Sequence, residues 1–379
     1  MTSLAAPAGN PLVAPPSSDP LLIEVYLFNC GHGDTILVHL PNDRWGLIDC
    51  FLPEQDGVRK NFFKFIEDKN IKTFDFIFQT HPDYDHYHGM QAVIEYFLTK
   101  GEKIGYYIDT GLNARGVRDL LQNRPGGAKE YELLQDRLDE LDKAGELELQ
   151  CLAARSIPFY PRDFRGKIEF TPIGPDPRDK RRIMTSDLKK LATNSKVRPE
   201  ANELSLVVVL SVNMDGNTLN VLLGADAGSA NVERAIDYWK QYAQIAGLAP
   251  EFDAIKIPHH GSIKSHSRGL CRMKRQGVGL GLGLETASVC AGTRRALPDR
   301  EVLREYLQSG WNVMATTTRG TLASPSLPMT LAHRGTPTNG DDLRHTIRLS
   351  WTPAAGLSAE PGAAKISLGD LAHYATASA

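Results

Sequence analysis

No Cys-x-x-Cys pair occurs anywhere in these 379 residues. The five cysteines, Cys30, Cys50, Cys151, Cys271 and Cys290, are scattered and odd in number. Neither a disulfide framework nor a thiolate zinc site is therefore indicated, and a reduced, cytoplasmic setting is the plain expectation. No apolar run approaches the ~20 residues that a membrane-spanning helix needs, so no membrane association is expected. Residues 1–20 lack both the basic start and the apolar core of a signal peptide. Rich in Pro, Ala and Ser, they read as a disordered leader. Strong charge of one sign is missing too. A net charge of −2 gives no global field for nucleic acid, and only local patches could supply one. What remains is the profile of a globular protein, 41% hydrophobic and 23% charged, long enough for one large domain or two ordinary ones.

Against that ordinary background one stretch is dense in chemistry: Thr80-His81-Pro82-Asp83-Tyr84-Asp85-His86-Tyr87-His88, closed by Gly89. The run before it, Phe74 to Phe78, is apolar and β-forming, and Met90 to Phe97 after it reads as a helix. The cluster thus sits on a strand-to-helix loop, where α/β proteins place chemistry. His, Asp, Asp and His at i, i+2, i+4 and i+5 is metal-ligand spacing, because imidazole nitrogens and carboxylate oxygens can converge from such a turn.

The rest of the chain places strands at 21–28, 35–40 and 45–49, a helix over 58–68, a strand at 104–108, and helices over 117–122 and 128–144. Strands follow at 147–152 and 167–172. Residues 178–198 are polar and strongly basic, with Arg178, Lys180, Arg181, Arg182, Lys189, Lys190, Lys196 and Arg198 against two acids. They read as a solvated loop or as a phosphate-contacting lid. A buried strand, Leu206 to Leu210, is joined by a turn to Leu219 to Gly224, which ends at Ala225-Asp226. A helix from Asn231 is followed by the strand Phe252 to Pro258, ending at His259-His260-Gly261-Ser262. Residues 263–276 carry five basic residues, Lys264 among them, and no acid; with the glycine run 277–283 they read as a flexible loop. Late strands are expected at 286–291, 312–316 and 345–351, with a helix over 299–309 between the first two. After Thr352, order is doubtful. The domain reading is a leader over 1–20, one domain over 21–351 with basic insertions at about 178–200 and 262–285, and a tail over 352–379.

In order, these motifs resemble the metallo-β-lactamase superfamily, and within it the soluble hydrolase-like domain of ComEC-type DNA-uptake proteins. The resemblance spans about 21–322. Gly31-His32-Gly33-Asp34 is similar to the family's Gly-x-Gly-Asp loop, and Leu47-Ile48-Asp49 to its strand ending in Ile-Asp. Thr80-His81-Pro82-Asp83-x-Asp85-His86 is similar to its signature, with Asp83 in place of the superfamily's usual second His. Asn202-x-x-Ser205-Leu206-Val207, Leu223-Gly224-Ala225-Asp226-Ala227 and Pro258-His259-His260-Gly261-Ser262 resemble its later motifs. The separate His of many superfamily members is not evident; Asn202 or a neighbour stands in its place. The resemblance implies a four-layer αββα sandwich, two mixed β-sheets face to face with helices outside.

It also implies two divalent ions, Zn or Mn. His81, Asp83, Asp85, His86, Asp226 and one of His259 and His260 supply enough ligands for both. Asp226 is the candidate bridge, and His259, nearest the strand end, is preferred as ligand. Asp85 would also orient an activated hydroxide, and His260 would hydrogen-bond the leaving group or a ligand. Two ions about 3.5–4 Å apart can clamp both oxygens of an in-line phosphoryl displacement. The expected function is a metal-dependent phosphodiesterase, a DNA or RNA nuclease, with Lys180, Arg181, Arg182, Asn202 and Lys264 as substrate-binding candidates. The alternatives are a small-molecule metallohydrolase acting on a cyclic nucleotide, another phosphoester, a lactone or a thioester, and a non-catalytic module. Nucleic acid is the expected partner. A protein partner is compatible with the resemblance, since ComEC-like domains without a membrane part resemble components of bacterial multi-protein systems, defence systems included.

Overall fold

The computed structural model describes residues 21–28, 30, 33–54, 57–111, 127–183, 185, 201–214, 216–275, 280–283, 298–315, 346–360 and 364–366. The expected leader, the Gly31-His32 turn residues, the helix over 117–122, the basic stretch 186–200 and the strand over 286–291 lie outside them. The first sheet is built from β1 (Ile23–Leu27), β2 (Ile36–Leu40), β3 (Arg44–Ile48), β4 (Phe76–Phe78), β5 (Tyr106–Asp109) and β6 (Glu148–Cys151). The second is built from β7 (Ile168–Pro172), β8 (Val208–Met214), β9 (Asn217–Leu223), β10 (Ala254–Lys256), β11 (Leu280–Gly283) and β12 (Asn312–Ala315). The chain then returns to the first sheet with β13 (Ile347–Thr352) and β14 (Gly356–Glu360), and adds β15 (Ala364–Ile366) to the second. The strand orders are β14-β13-β1-β2-β3-β4-β5-β6 and β15-β12-β11-β10-β9-β8-β7. Both sheets are mixed: β3, β4, β5 and β6 run parallel, as do β9, β10, β11 and β12, and antiparallel strands complete each sheet.

Alternation along the strands makes the layers. In β4, Phe76 and Phe78 face the second sheet, where they meet Phe170 of β7 at ring-centroid distances of 4.8 and 5.4 Å. Ile77, between them, faces the other way and packs under helices. A strand buried on both faces explains the unbroken apolar run. The helices are α1 (Val58–Asp68), α2 (Met90–Leu98), α3 (Gly127–Ala144), α4 (Pro177–Arg182), α5 (Ser229–Ala246), α6 (Arg268–Cys271) and α7 (Arg300–Gln308). Helix α2 buries Met90, Val93, Ile94 and Phe97, the i, i+3, i+4, i+7 stripe of an amphipathic helix. It joins α1 and α3 on the outer face of the first sheet. Val232, Ala235, Ile236 and Trp239 of α5 do the same for the second sheet. The order helices, sheet, sheet, helices is the expected αββα sandwich.

Two stretches differ from their sequence reading. The glycine run was expected to be loop, yet Leu280–Gly283 is a strand paired on both sides, with β10 and β12. Glycine is a poor strand former in isolation, and a ladder position between two neighbours overrides that preference. Past Thr352, β14 and β15 extend one sheet each, through residue 366. Their small residues carry little hydrophobic signal, because edge strands are held by backbone pairing more than by burial. Among the described residues, no helix is long and apolar enough to cross a membrane.

Candidate metal centre

Four strands, two from each sheet, end at one place. Asp49 follows β3, His81 to His86 follow β4, Asp226 follows β9, and His259 and His260 follow β10. Asp85, His86, Asp226 and His260 each bring one donor atom to within 4.8 Å of the other three. Asp226 is central. Its Oδ2 lies 3.5 Å from His86 Nε2 and 3.8 Å from His259 Nε2, while its Oδ1 lies 3.5 Å from His260 Nε2. The His81 ring lies beside that of His86, tilted by 54° at a centroid distance of 3.9 Å, and its Nε2 is 3.9 Å from Asp83 Oδ2. The structure thus brings together all the expected ligand residues. His260 belongs to the group of four, and His259 stands at its side, with its Nδ1 3.0 Å from Ser265 Oγ and 3.2 Å from Asn202 Nδ2.

These donors fit a divalent cation. His81 Nε2, His86 Nε2 and both ring nitrogens of His260 are buried without a hydrogen-bond partner among the described residues. Buried imidazole nitrogens rarely stay unpaired unless something else is meant to meet them. Burial also pushes His81 well below the usual histidine range and His260 down to about 4, so both present lone pairs. Burial raises the Asp85 carboxyl. It opposes ionisation of Asp226 as well, but the neighbouring His260 and His86 hold that carboxyl well below the usual range. Carboxylate oxygens and imidazole nitrogens together are a donor set for a divalent cation.

The backbone that carries the donors is shaped for them. Gly33 packs against the ligand loop so closely that a Cβ would lie 2.3 Å from the Asp85 carbonyl oxygen. The next residue, Asp34, donates its N–H to that oxygen at 3.1 Å. His259 and His260 are both left-handed, with φ 48° and 52°, and Gly261 follows at 77°. Ala225, just before Asp226, is left-handed too, at 45°. Such residues cost on the order of 1–3 kcal/mol each and persist only where surroundings hold them. Here the Ala225 carbonyl accepts from His259 N–H at 2.9 Å, which ties the Asp226 turn to the histidine turn.

Three supporting residues had no role in the sequence reading. Asp49 accepts from His86 Nδ1 at 2.7 Å, from Thr80 N–H at 2.7 Å and from Thr80 Oγ1 at 2.6 Å. That contact puts the imidazole proton on Nδ1 and aims Nε2 at the centre. Glu130 of α3 lies 2.9 Å from His88 Nδ1, so His88 anchors the ligand loop to a helix. Lys256 is fully buried; its ammonium pairs with Asp34, donates to the Ala225 carbonyl at 2.8 Å and stands 3.6 Å from Asp226 Oδ1. Burial works against its charge, but Asp34 and Asp226 more than offset this and keep the ammonium protonated. A lone lysine in the apolar run Phe252 to Pro258 was the available signal. Asp34, from the Gly-x-Gly-Asp-like loop, is the partner of that lysine.

The substrate-binding candidates divide. Asn202 touches His259, as above. Lys180 donates to the Thr110 carbonyl, and Arg182 pairs with Glu203, so both are engaged within the fold. Arg181 and Lys264 are exposed. Arg178, Arg181 and Arg182 line, with Pro177 and Thr185, a cavity of about 390 Å³. Helix α4 packs on the turn Ala201–Leu204, which carries Asn202.

No family model matches the sequence, and no curated protein matches it either. Solved structures do. The metallo-β-lactamase fold protein YhfI from Bacillus subtilis is 10% identical, with a TM-score of 0.41 over 79% of this chain and 97% of its own. A diphosphatase from the PhnP family is 11% identical, with a TM-score of 0.35 over 69% and 85%. A long-form RNase Z from yeast is 8% identical, with a TM-score of 0.38 over 92% of this chain and 51% of its own.

Proposed function

We propose that this chain is a metal-dependent phosphodiesterase that acts on nucleic acid. The observation that carries the reading is the convergence of Asp85, His86, Asp226 and His260, with unpaired buried imidazole nitrogens, at the open ends of four strands. The ordered motifs that resemble the soluble domain of ComEC-type proteins support the same reading. Asp85, His86, Asp226 and His260 would hold one ion, with His81 beside His86 and His259 beside Asp226 as further donors. A bound divalent ion would supply positive charge for phosphoryl oxygens and acidify a water by several pKa units.

The chain's own residues prepare that chemistry. Asp49 accepts a hydrogen bond from His86 Nδ1, which leaves Nε2 as the nitrogen that would meet a bound ion. The two oxygens of Asp226 face different imidazoles, Oδ2 toward His86 and His259 and Oδ1 toward His260. Asn202 holds the His259 ring next to Ser265. Helix α4, which packs on the turn carrying Asn202, would offer the exposed guanidinium groups of its arginine-lined cavity to phosphates of a bound polymer.

The test is a panel of single- and double-stranded DNA, RNA and plasmid with Mn²⁺, Mg²⁺ or Zn²⁺, run beside Asp85→Ala. Cleavage that needs metal and falls at least about hundredfold in the variant is the expected result. Metal-loaded protein that leaves every polymer intact while hydrolysing small diesters would move the reading to a small-molecule metallohydrolase. A chain that takes up no divalent metal would end it.

A further inference from the structure

The lysine beneath the centre has a more specific role than charge balance. Lys256 lies on β10, three residues before His259, with no exposed surface. Its ammonium closes a ring of four groups. It pairs with Asp34 Oδ2; Asp34 Oδ1 lies 3.7 Å from His260 Nδ1; His260 Nε2 lies 3.5 Å from Asp226 Oδ1; and that oxygen lies 3.6 Å from the ammonium. The same ammonium donates to the carbonyl of Ala225, whose left-handed backbone sets the direction of Asp226. His259 N–H shares that carbonyl. Gly224, on the other side of the turn, has no room for a side chain: a Cβ would lie 2.9 Å from the Lys256 carbonyl oxygen and 2.7 Å from Pro258. One nitrogen therefore touches, directly or through one residue, the supports of Asp226, His259 and His260.

We propose that Lys256 is a positioning residue for the metal centre, an internal clamp that holds the Ala225-Asp226 turn, and with it the His259-His260 turn that shares the Ala225 carbonyl, in ligating geometry. The proposal rests on the reading of the site as a metal centre. It concerns how the ligands are held, not which reaction follows.

The sign of the effect separates positioning from plain electrostatics. A fixed positive charge 3.6 Å from a ligand oxygen repels an incoming cation. If charge were its only contribution, removing Lys256 would tighten metal binding. If it holds the ligands, removal weakens binding in spite of the lost repulsion.

Lysine removal alone would leave Asp34 buried and uncompensated, so the comparison is made in a neutralised background. Asp34→Asn is compared with Asp34→Asn/Lys256→Met, each checked for folding by circular dichroism. Mn²⁺ binding is followed by calorimetry, and the electron paramagnetic resonance spectrum of the bound ion reports its ligand geometry. At least tenfold weaker binding in the double variant, with an altered Mn²⁺ spectrum, is the expected result. Asp34→Asn/Lys256→Arg, which keeps a donor toward Ala225, should recover part of the affinity. Affinity of the double variant equal to or tighter than that of Asp34→Asn would overturn the clamp and leave the metal-centre reading standing. Absence of Mn²⁺ binding by the unmodified chain would overturn both. A double variant that does not fold is replaced by Lys256→Arg in the unmodified chain. There, unchanged affinity and an unchanged spectrum would overturn the clamp, because the longer, planar head cannot occupy the same three contacts.

Discussion

Asp49→Asn isolates the histidine-orienting contact from the fold around it. The substitution keeps the shape of the side chain and an oxygen for the Thr80 N–H, 2.7 Å away in the native chain. What changes is the atom facing His86 Nδ1. The carboxylate accepts a proton there at 2.7 Å. An amide nitrogen in that place would itself donate, which drives the imidazole proton to Nε2, the nitrogen that points at Asp226. A protonated Nε2 has no lone pair for a cation. Loss of a partner of this kind typically weakens metal binding 10–100-fold, which is about 1.4–2.7 kcal/mol at 1.36 kcal/mol per decade. Calorimetric titration with Zn²⁺ and Mn²⁺ measures it directly, and the metal-induced rise in Tm should shrink in parallel. An Asp49→Asn protein that binds both ions within twofold of the parent would refute the assignment of His86 as a ligand held by Asp49.

Two further outcomes test the scaffold. Glu24, buried on β1, faces His39 Nδ1 at 3.0 Å and Arg348 Nε at 2.6 Å. Burial alone would raise its pKa, but the His39 hydrogen bond and the Arg348 charge win and bring it from 4.5 to about 2. Because the folded value is the lower one, the unfolded chain takes up the proton first. The contribution, on the order of 3 kcal/mol, is complete above pH 4.5 and lost as pH falls toward 2. Urea denaturation across that window should show a shallower acid limb in Glu24→Gln; identical limbs would contradict the pairing. Gly46 of β3 is covered by Phe76, so that a Cβ would lie 2.0 Å from its ring. Gly46→Ala should cost about 1–3 kcal/mol in urea midpoint at constant slope, and Phe76→Leu should recover part of it by making room. A neutral Gly46→Ala would mean that the sheet relaxes more freely than close packing allows.

Much of the architecture was legible in the chain itself. Val58–Asp68 is a helix over the same residues that its pattern marked, β2 and β7 differ by a residue at one end, and β3 by a residue at each end. Those segments carry strong periodicity, and periodicity records which side of an element loses water on folding. Leu280–Gly283 and the last two strands were missed for the converse reason. β11 and β15 pair with strands from separate segments and β14 with the adjacent β13, and in each case a backbone ladder leaves no trace in side-chain hydrophobicity.

The site divides along the same line. The sequence by itself singled out the candidate donors: His81, Asp83, Asp85 and His86 on one loop, Asp226 and the histidine pair at later strand ends. Residue type and spacing express ligand chemistry directly. It left the neighbouring histidines His259 and His260 unresolved, because adjacent residues in a tight turn point apart by an amount only the backbone angles set. The left-handed pair at 48° and 52° places His260 in the group of four and His259 toward Asn202 and Ser265. Only the tertiary structure decided the supports. Asp49 meets a histidine 37 residues on, and Lys256 meets Asp34 across more than two hundred residues. Buried charge must find a partner wherever the fold brings one, and that choice is made in space rather than along the chain.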